Sequence, residues 1–427
     1  MNLLAVNPWI IDCAAYDFWL KPYGFLVILT YLKRKKPNIN IEYIDCLEKI
    51  KRDRFGRGKY PEEIIPQPPV LKGVKRYFKR YGITPQEFQR RLKNEEKDFI
   101  LISSSMTYWY PGVFEVIKIL KEKYPKTPII LGGTYPTLCF NHANKFSQAD
   151  FVFKADKLQD FFNLLGVEFD FSELFSTLPD YNYFYSQLDY VVLRTSWGCP
   201  FNCSYCAIKR LFKGFFRVPE EKILNFILNY YQKGIRDFVF YDEALLYEQS
   251  SIKKLLSQLK KLKLSLRFHT PNALHLRFLD KEVAVLLKET NFVNPHFGLE
   301  TLNPTLQKEW GDKVNIEDLT RAIKILKKAG FKRGEFSVYL LLGFPNQDLK
   351  ELKKEAEFLH QQGARVSLAE FSPVPGTKLY QFYKKELSEP LFQNNSLFYF
   401  LRKKDLKEIF QIKDYVRQLN RKFTSTS

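Results

Sequence analysis

Three observations predict an α/β chain built from two parallel-sheet units. Apolar, β-branched runs alternate with amphipathic helical stretches through residues 1–165. The alternation breaks at Leu164 to Tyr185, where Leu178-Pro-Asp-Tyr reads as a domain seam, and resumes from Tyr190 as about six strand–helix repeats. A loop with three cysteines, Cys199, Cys203 and Cys206, closes the first strand of that second series. The expected divisions are residues 1–165, with a basic insertion at 49–95; a linker at 166–188; the repeats at 189–380; and a helical extension at 381–427.

In the first unit Leu3 to Val6 reads as a strand, followed by a long aromatic loop from Asn7 to Pro22. Tyr23 to Leu32 has helical periodicity, and Asn40 to Ile44 is the next strand. Phe99 to Ile102 and Pro128 to Leu131 are buried-strand candidates on either side of the amphipathic run Val113 to Lys123. The proline-containing insertion is too long for a bare loop, so helices are expected within it. Ser103, Ser104, Ser105 and Thr107 follow one strand, and Gly132, Gly133 and Thr134 follow another. Small and hydroxylic residues at parallel strand ends let a phosphate or ribose approach backbone N–H groups; they are also ordinary turn chemistry.

In the second unit the expected strands are Tyr190 onward, Asp237–Tyr241, Leu264–Phe268, Val293–Phe297, Glu335–Leu342 and Arg365–Phe371. The expected helices are Glu220–Lys233, Ser251–Leu262, Asp280–Lys288, Ile316–Ala329 and Leu349–Gln361. Leu379–Leu387 and Leu401–Lys422 read as helices outside the barrel or against the first unit, ahead of a polar Thr-Ser-Thr-Ser427 tail.

The chain has 427 residues, 45% of them hydrophobic, enough for two cores. Lys plus Arg number 67 against 47 acidic residues, a net charge of +20. That field allows nucleic-acid or peripheral membrane contact and also keeps an aromatic-rich chain dispersed. The first residues lack a basic n-region, and no apolar run reaches the length of a membrane span. With three of six cysteines in one motif and Cys13, Cys46 and Cys139 scattered, the expectation is a reducing cytoplasm.

The Cys199-x3-Cys203-x2-Cys206 spacing lacks the fourth ligand of a structural zinc site. Three thiolates on a [4Fe–4S] cube leave one iron open to a small molecule. With Tyr241-Asp-Glu243, Gly298-Leu-Glu300, Gly343-Phe-Pro345 and Ser372-Pro-Val-Pro-Gly376, the triad resembles the signature of the radical S-adenosylmethionine (SAM) enzymes. The resemblance implies a partial (β/α)6 barrel, a cluster on the three cysteines, and reductive cleavage of SAM to a 5′-deoxyadenosyl radical. It assigns Tyr241, Asp242 and Glu243 to the methionyl ammonium, Glu300 beside Gly298 to the ribose or methionyl group, and Gly343 to the adenine. Asp242 and Glu243 also stand where a helix N-cap would. Trp197, Phe201 and Tyr205 are expected to shield the cluster, with Phe201 packing inside the loop. His269 and His275 are candidates to line the cavity and His296 precedes Gly298; none is assigned a catalytic role.

The first unit resembles the Rossmann-like cobalamin-binding domain of the B12-type radical SAM subfamily. That resemblance places a corrin tail at Ser103, Ser104, Ser105, Thr107, Gly132, Gly133 and Thr134. Asp12-Cys-Ala-Ala-Tyr16 lacks the subfamily's axial histidine, implying a base-off cofactor; Lys154-Ala-Asp-Lys157 replaces its Gly-Glu-Gly-Glu, and the basic insertion is additional. The implied activity is cobalamin-dependent methyl transfer to an unactivated carbon of a hydrophobic or anionic small molecule, with flavodoxin or ferredoxin as electron donor. The alternatives are a radical rearrangement, cyclisation or C–C bond formation; a methylthiotransferase with a second cluster on Cys13, Cys46 and Cys139; and a non-catalytic iron–sulfur module that binds RNA or membrane.

Overall fold

The computed structural model describes residues 1–344, 347–384, 387, 389–402 and 406–423. Pro345 of the glycine–proline motif and the Thr-Ser-Thr-Ser427 tail lie outside the described residues.

Five parallel strands form the first sheet, in the spatial order Phe151–Val152, Ile129–Gly133, Phe99–Ser104, Asn2–Asn7, Asn40–Asp45. Numbered along the chain this is 2-1-3-4-5, the doubly wound order whose direction reverses between the first and third strands. Side-chain alternation assigns the two faces. Leu3, Ala5, Leu101 and Ile130 enter a core shared with the second unit. Leu4, Val6, Ile100, Ile102, Ile129 and Leu131 pack with Val113, Val116, Ile117 and Leu120 of the helix Tyr110–Lys123. Each fully buried aliphatic side chain stabilises the fold by roughly 2 kcal/mol. The shared face therefore joins the two units firmly.

The insertion departs from the helices expected of it. It contains the short strands Lys51–Arg52, Gly58–Lys59, Glu62–Ile65 and Phe78–Tyr81 and a single α-helix, Pro85–Arg91, capped by Thr84. Prolines at 61, 66, 68 and 69 lack the N–H that a helix interior requires. Glu62–Ile65 instead pairs with Phe78–Tyr81, which also pairs with Ile10–Asp12 from the aromatic loop. Many of the insertion's cations are matched by acids: Lys49 to Asp17 at 2.8 Å, Arg57 to Asp53 at 2.7 Å, Lys79 to Glu62 at 2.7 Å, and Arg91 to Glu87 and Glu48.

In the second unit Val191–Leu193, Asp237–Phe240 and Arg267–His269 form one parallel sheet, and Leu274–His275, His296–Glu300, Ser337–Leu342 and Arg365–Glu370 form another. A parallel bridge also links Phe268, in the middle of the strand Arg267–His269, to Phe292. The strand expected at Val293–Phe297 falls three residues later, because Asn294 turns at φ 48° and Pro295 cannot donate to a ladder. Of the helix expected at Leu379–Leu387, Leu379–Tyr383 forms a 3-10 turn, and residues 385 and 386 lie outside the described residues. The helix Leu406–Arg421 buries Ile409, Ile412, Val416 and Leu419 against the second unit. Asn394 ties the extension to the first unit by donating from Nδ2 to Asp12 at 2.7 Å.

Candidate functional site

Past Val191–Leu193 the chain forms an antiparallel ribbon, Ser196–Gly198 against Phe215–Arg217, and the segment between these strands carries the three cysteines. Gly198 lies at φ +86°, and a Cβ there would stand 2.2 Å from the carbonyl oxygen of Gly214, so the ribbon needs glycine. Cys199 is buried, Cys203 half-buried and Cys206 exposed. The Lys209 ammonium donates to the Cys199 carbonyl. Ser204 N–H donates to Trp310 O at 3.1 Å, and Leu379 N–H donates to Ser204 O at 3.0 Å. Phe201 stacks on His275 with centroids 4.8 Å apart, the packing role expected of it.

The acidic residues at the strand ends hold this loop. Asp242, 3% exposed, accepts from Thr195 N–H at 3.0 Å, Thr195 Oγ1 at 2.7 Å and Ser196 Oγ at 2.7 Å. Its carboxylate is thus heavily engaged in fixing the approach to Cys199. Glu243 accepts from Arg194 Nη1 at 2.5 Å and from Gly198 N–H at 3.2 Å, and burial pushes its carboxyl above the ordinary range. The Tyr241 hydroxyl donates to the Trp19 carbonyl, joining the units, while Asn272 Nδ2 donates to the carbonyls of Tyr241 and Asp242.

Across the same space Glu300 sits at φ +75° and pairs with Lys313 at 2.6 Å. Gly298 lies beneath them: a Cβ there would stand 2.7 Å from Lys313 Nζ. Gly343, at φ +92°, donates its N–H to Gln347 Oε1 at 2.7 Å. His275 makes its contact through Nε2 to the Glu243 carbonyl at 3.2 Å; burial, then the Lys313 charge, lower its pKa to about 3. His269 is held by Asp237 at 2.8 Å between the rings of Trp19 and Phe55, and His296 stacks on Tyr339. These are packing roles.

Burial raises the Cys199 and Cys203 thiols, and Lys313 acts on both in the opposite direction. Cys199 feels the charge of Cys203, and Cys206 that of both Cys203 and Cys199. Among the described residues no three such ligands gather at single-ion spacing. A cubane cluster spreads its thiolates over separate irons and deprotonates them outright, and three soft donors with a nearby cation suit it.

The strand ends of the first unit line a cavity of about 360 Å³ between the units. Ser103, Ser104, Ser105, Gly132, Gly133 and Thr134 form one wall; Arg194, Trp197, Tyr241 and Glu243 face them. Thr107 is buried nearby at the start of a 3-10 turn, outside the lining. A Cβ at Gly132 or Gly24 would meet nothing within 4 Å, and Ser104 Oγ is buried without a partner. Open backbone and an unused hydroxyl at the end of a doubly wound sheet fit a ligand with a polar tail. Lys154 and Ala155 complete part of the rim. Cys13 and Cys46 lie in the core of the first unit, and Cys139 Sγ contacts Gln393 at 3.7 Å.

The motifs did not reveal Arg194, Lys21 or Lys313. Lys21 lines the cavity with its ammonium 3.8 Å from the Tyr185 ring centroid, and burial lowers its pKa. Arg194 stands between Glu243 and the face of Trp197. No local pattern marks these cations; only the fold brings them to the site.

Residues 194–359 match the radical SAM superfamily. The chain is 24% identical over 214 residues to the uncharacterized methyltransferase PH0819 of Pyrococcus horikoshii, covering 49% of this chain and 45% of the relative. It is 24% identical over 208 residues to the ribosomal protein uS12 methylthiotransferase RimO of Hydrogenobaculum sp., covering 46% and 50%. The chain thus spans about half the length of these curated relatives. The structure of the radical SAM methyltransferase TsrM from Kitasatospora setae, solved with cobalamin and a [4Fe–4S] cluster bound, superimposes with a TM-score of 0.64 at 14% identity, covering 90% of this chain and 78% of that one. Among the described residues no helix is long and apolar enough to cross a membrane. Residues 194–359 thus match the radical SAM superfamily, and the chain shares its overall fold with TsrM.

Proposed function

We propose that the chain reductively cleaves SAM at a [4Fe–4S] cluster held by Cys199, Cys203 and Cys206, and that cobalamin bound between the units makes it a methyltransferase for an unactivated carbon. The cavity carries the second half of this reading. Its Ser103–Ser105 and Gly132–Thr134 wall offers open backbone and an unpartnered hydroxyl, and its opposite wall begins at the cysteine ribbon. When bound, the cluster and corrin supply electron transfer and methyl carriage beyond the reach of amino-acid side chains. Glu243 and the strand-end carbonyls hold the methionyl ammonium, Glu300 with Gly298 holds the ribose or methionyl group, and Gly343 borders the adenine. Asp242 keeps the cysteine loop in place. Trp197, Phe201 and Tyr205 exclude water. The apolar walls and Lys21 favour a hydrophobic or anionic small molecule as substrate, with a flavodoxin or ferredoxin as reductant in the cytoplasm.

The likeness to the uncharacterized methyltransferase PH0819 and to the methyltransferase TsrM favours methyl transfer. RimO's methylthio transfer is the competing reading; the core positions of Cys13 and Cys46, and the engagement of Cys139 by Gln393, count against a second cluster here. The test is anaerobic purification with cobalamin supplied, followed by dithionite and methyl-deuterated SAM. We expect a corrin spectrum, 5′-deoxyadenosine, and deuterium in the product. An intact cluster without corrin removes the methyl reading and leaves rearrangement, cyclisation or C–C bond formation. Absence of both cluster and SAM cleavage overturns the radical reading and favours a non-catalytic module.

A further inference from the structure

Lys313 belongs to none of the motifs, yet the chain is shaped around it. Gly311 sits at φ +120°, and a Cβ there would lie 2.9 Å from Cys203 Cα, so the segment Trp310–Lys313 presses directly on the cysteine loop. The Ser204 N–H bond to the Trp310 carbonyl secures that contact. The missing side chain of Gly298 leaves room for the Lys313 ammonium, which pairs with Glu300 at 2.6 Å, both side chains 12% exposed. Lys313 and Tyr205 also line one small cavity. A charge shielded from water acts strongly on its neighbours.

We propose that the Lys313–Glu300 pair sets the reduction potential of the cluster, with Lys313 a positioning residue that stabilises the reduced form. The proposal rests on Cys199, Cys203 and Cys206 holding a [4Fe–4S] cluster. Reduction takes one electron from a low-potential donor, which is oxidised by one electron, and makes or breaks no bond. Three thiolates around a 2+ core carry one net negative charge, and reduction to the 1+ core makes this two. The nearby ammonium favours that second charge, and the Glu300 carboxylate opposes it.

The opposite signs provide the test. Potentials of reconstituted wild-type, K313M, E300Q and K313M/E300Q proteins are measured without SAM by redox titration followed by electron paramagnetic resonance. K313M is expected to shift the midpoint to more negative potential, E300Q to more positive, and the double variant back toward wild type. Shifts of the same sign, or none, with iron content unchanged overturn the proposal. So does loss of the cluster from K313M alone, which makes the ammonium structural. Failure of the wild type to hold a cluster instead refutes the reading on which the proposal stands.

Discussion

The strand ends of the two units are finished differently. In the second unit Asp242, Glu243 and Glu300 are already bonded to Thr195, Ser196, Arg194, Gly198 and Lys313. In the first, Gly24 and Gly132 face open space and Ser104 Oγ is buried unpartnered. A network of satisfied charges pre-organises a loop at the cost of some freedom, whereas an open backbone edge leaves its donors to a ligand. The difference suggests a second unit built to hold its chemistry rigidly and a first unit built to receive a large group.

Breaking the rigid side has the largest expected effect. C199A/C203A/C206A should lose all cluster iron and all SAM cleavage, measured by iron assay and by 5′-deoxyadenosine. Retention of either property refutes the assignment. D242A leaves the donors of Thr195 and Ser196 buried without their acceptor, so a loss of about 3 kcal/mol is expected in denaturant unfolding, together with a poorly retained cluster. A stability within error of wild type would show that the loop does not depend on Asp242.

The open side should respond in binding and not in folding. G132V places methyl groups in empty space, so stability should stay within about 0.5 kcal/mol while corrin retention falls about tenfold, or about 1.4 kcal/mol. Unchanged corrin binding would remove the corrin from that wall. The smallest effect is in the pH dependence. His275 is neutral in the fold, with its pKa lowered to about 3 against an ordinary value near 6.5. Its contribution is therefore fully present above about pH 6.5 and is lost as pH falls toward 3, because only the unfolded state takes up the proton. H275F should flatten the fall in melting temperature between about pH 6 and 4. An identical slope in the variant would assign that dependence to other groups.

Legibility followed the range of the determining interactions. The helix Leu349–Gln361 matches its expected span because its pattern and its Asp348 cap are local. The strands of the insertion were missed because pairing between Glu62–Ile65 and Phe78–Tyr81 joins residues 13 to 19 positions apart, and depends on a third strand at Ile10–Asp12. Its lysines and arginines looked like a basic surface until the fold supplied their carboxylates; the pairings weaken the case for an RNA- or membrane-binding module.

The amino-acid sequence by itself determined the α/β alternation, the cysteine loop and the order of the acidic and glycine motifs, since these follow from short-range periodicity and from chemistry carried within a few residues. Only the tertiary structure decided that Asp242 anchors the loop, that Lys313 pairs with Glu300 over Gly298 while Gly311 packs its segment on Cys203, and that the strand ends of the first unit face Arg194, Trp197, Tyr241 and Glu243 across one cavity. The physical reason is that charge compensation and empty space are properties of groups brought together from distant parts of the chain, and no local pattern records which cation will meet which acid.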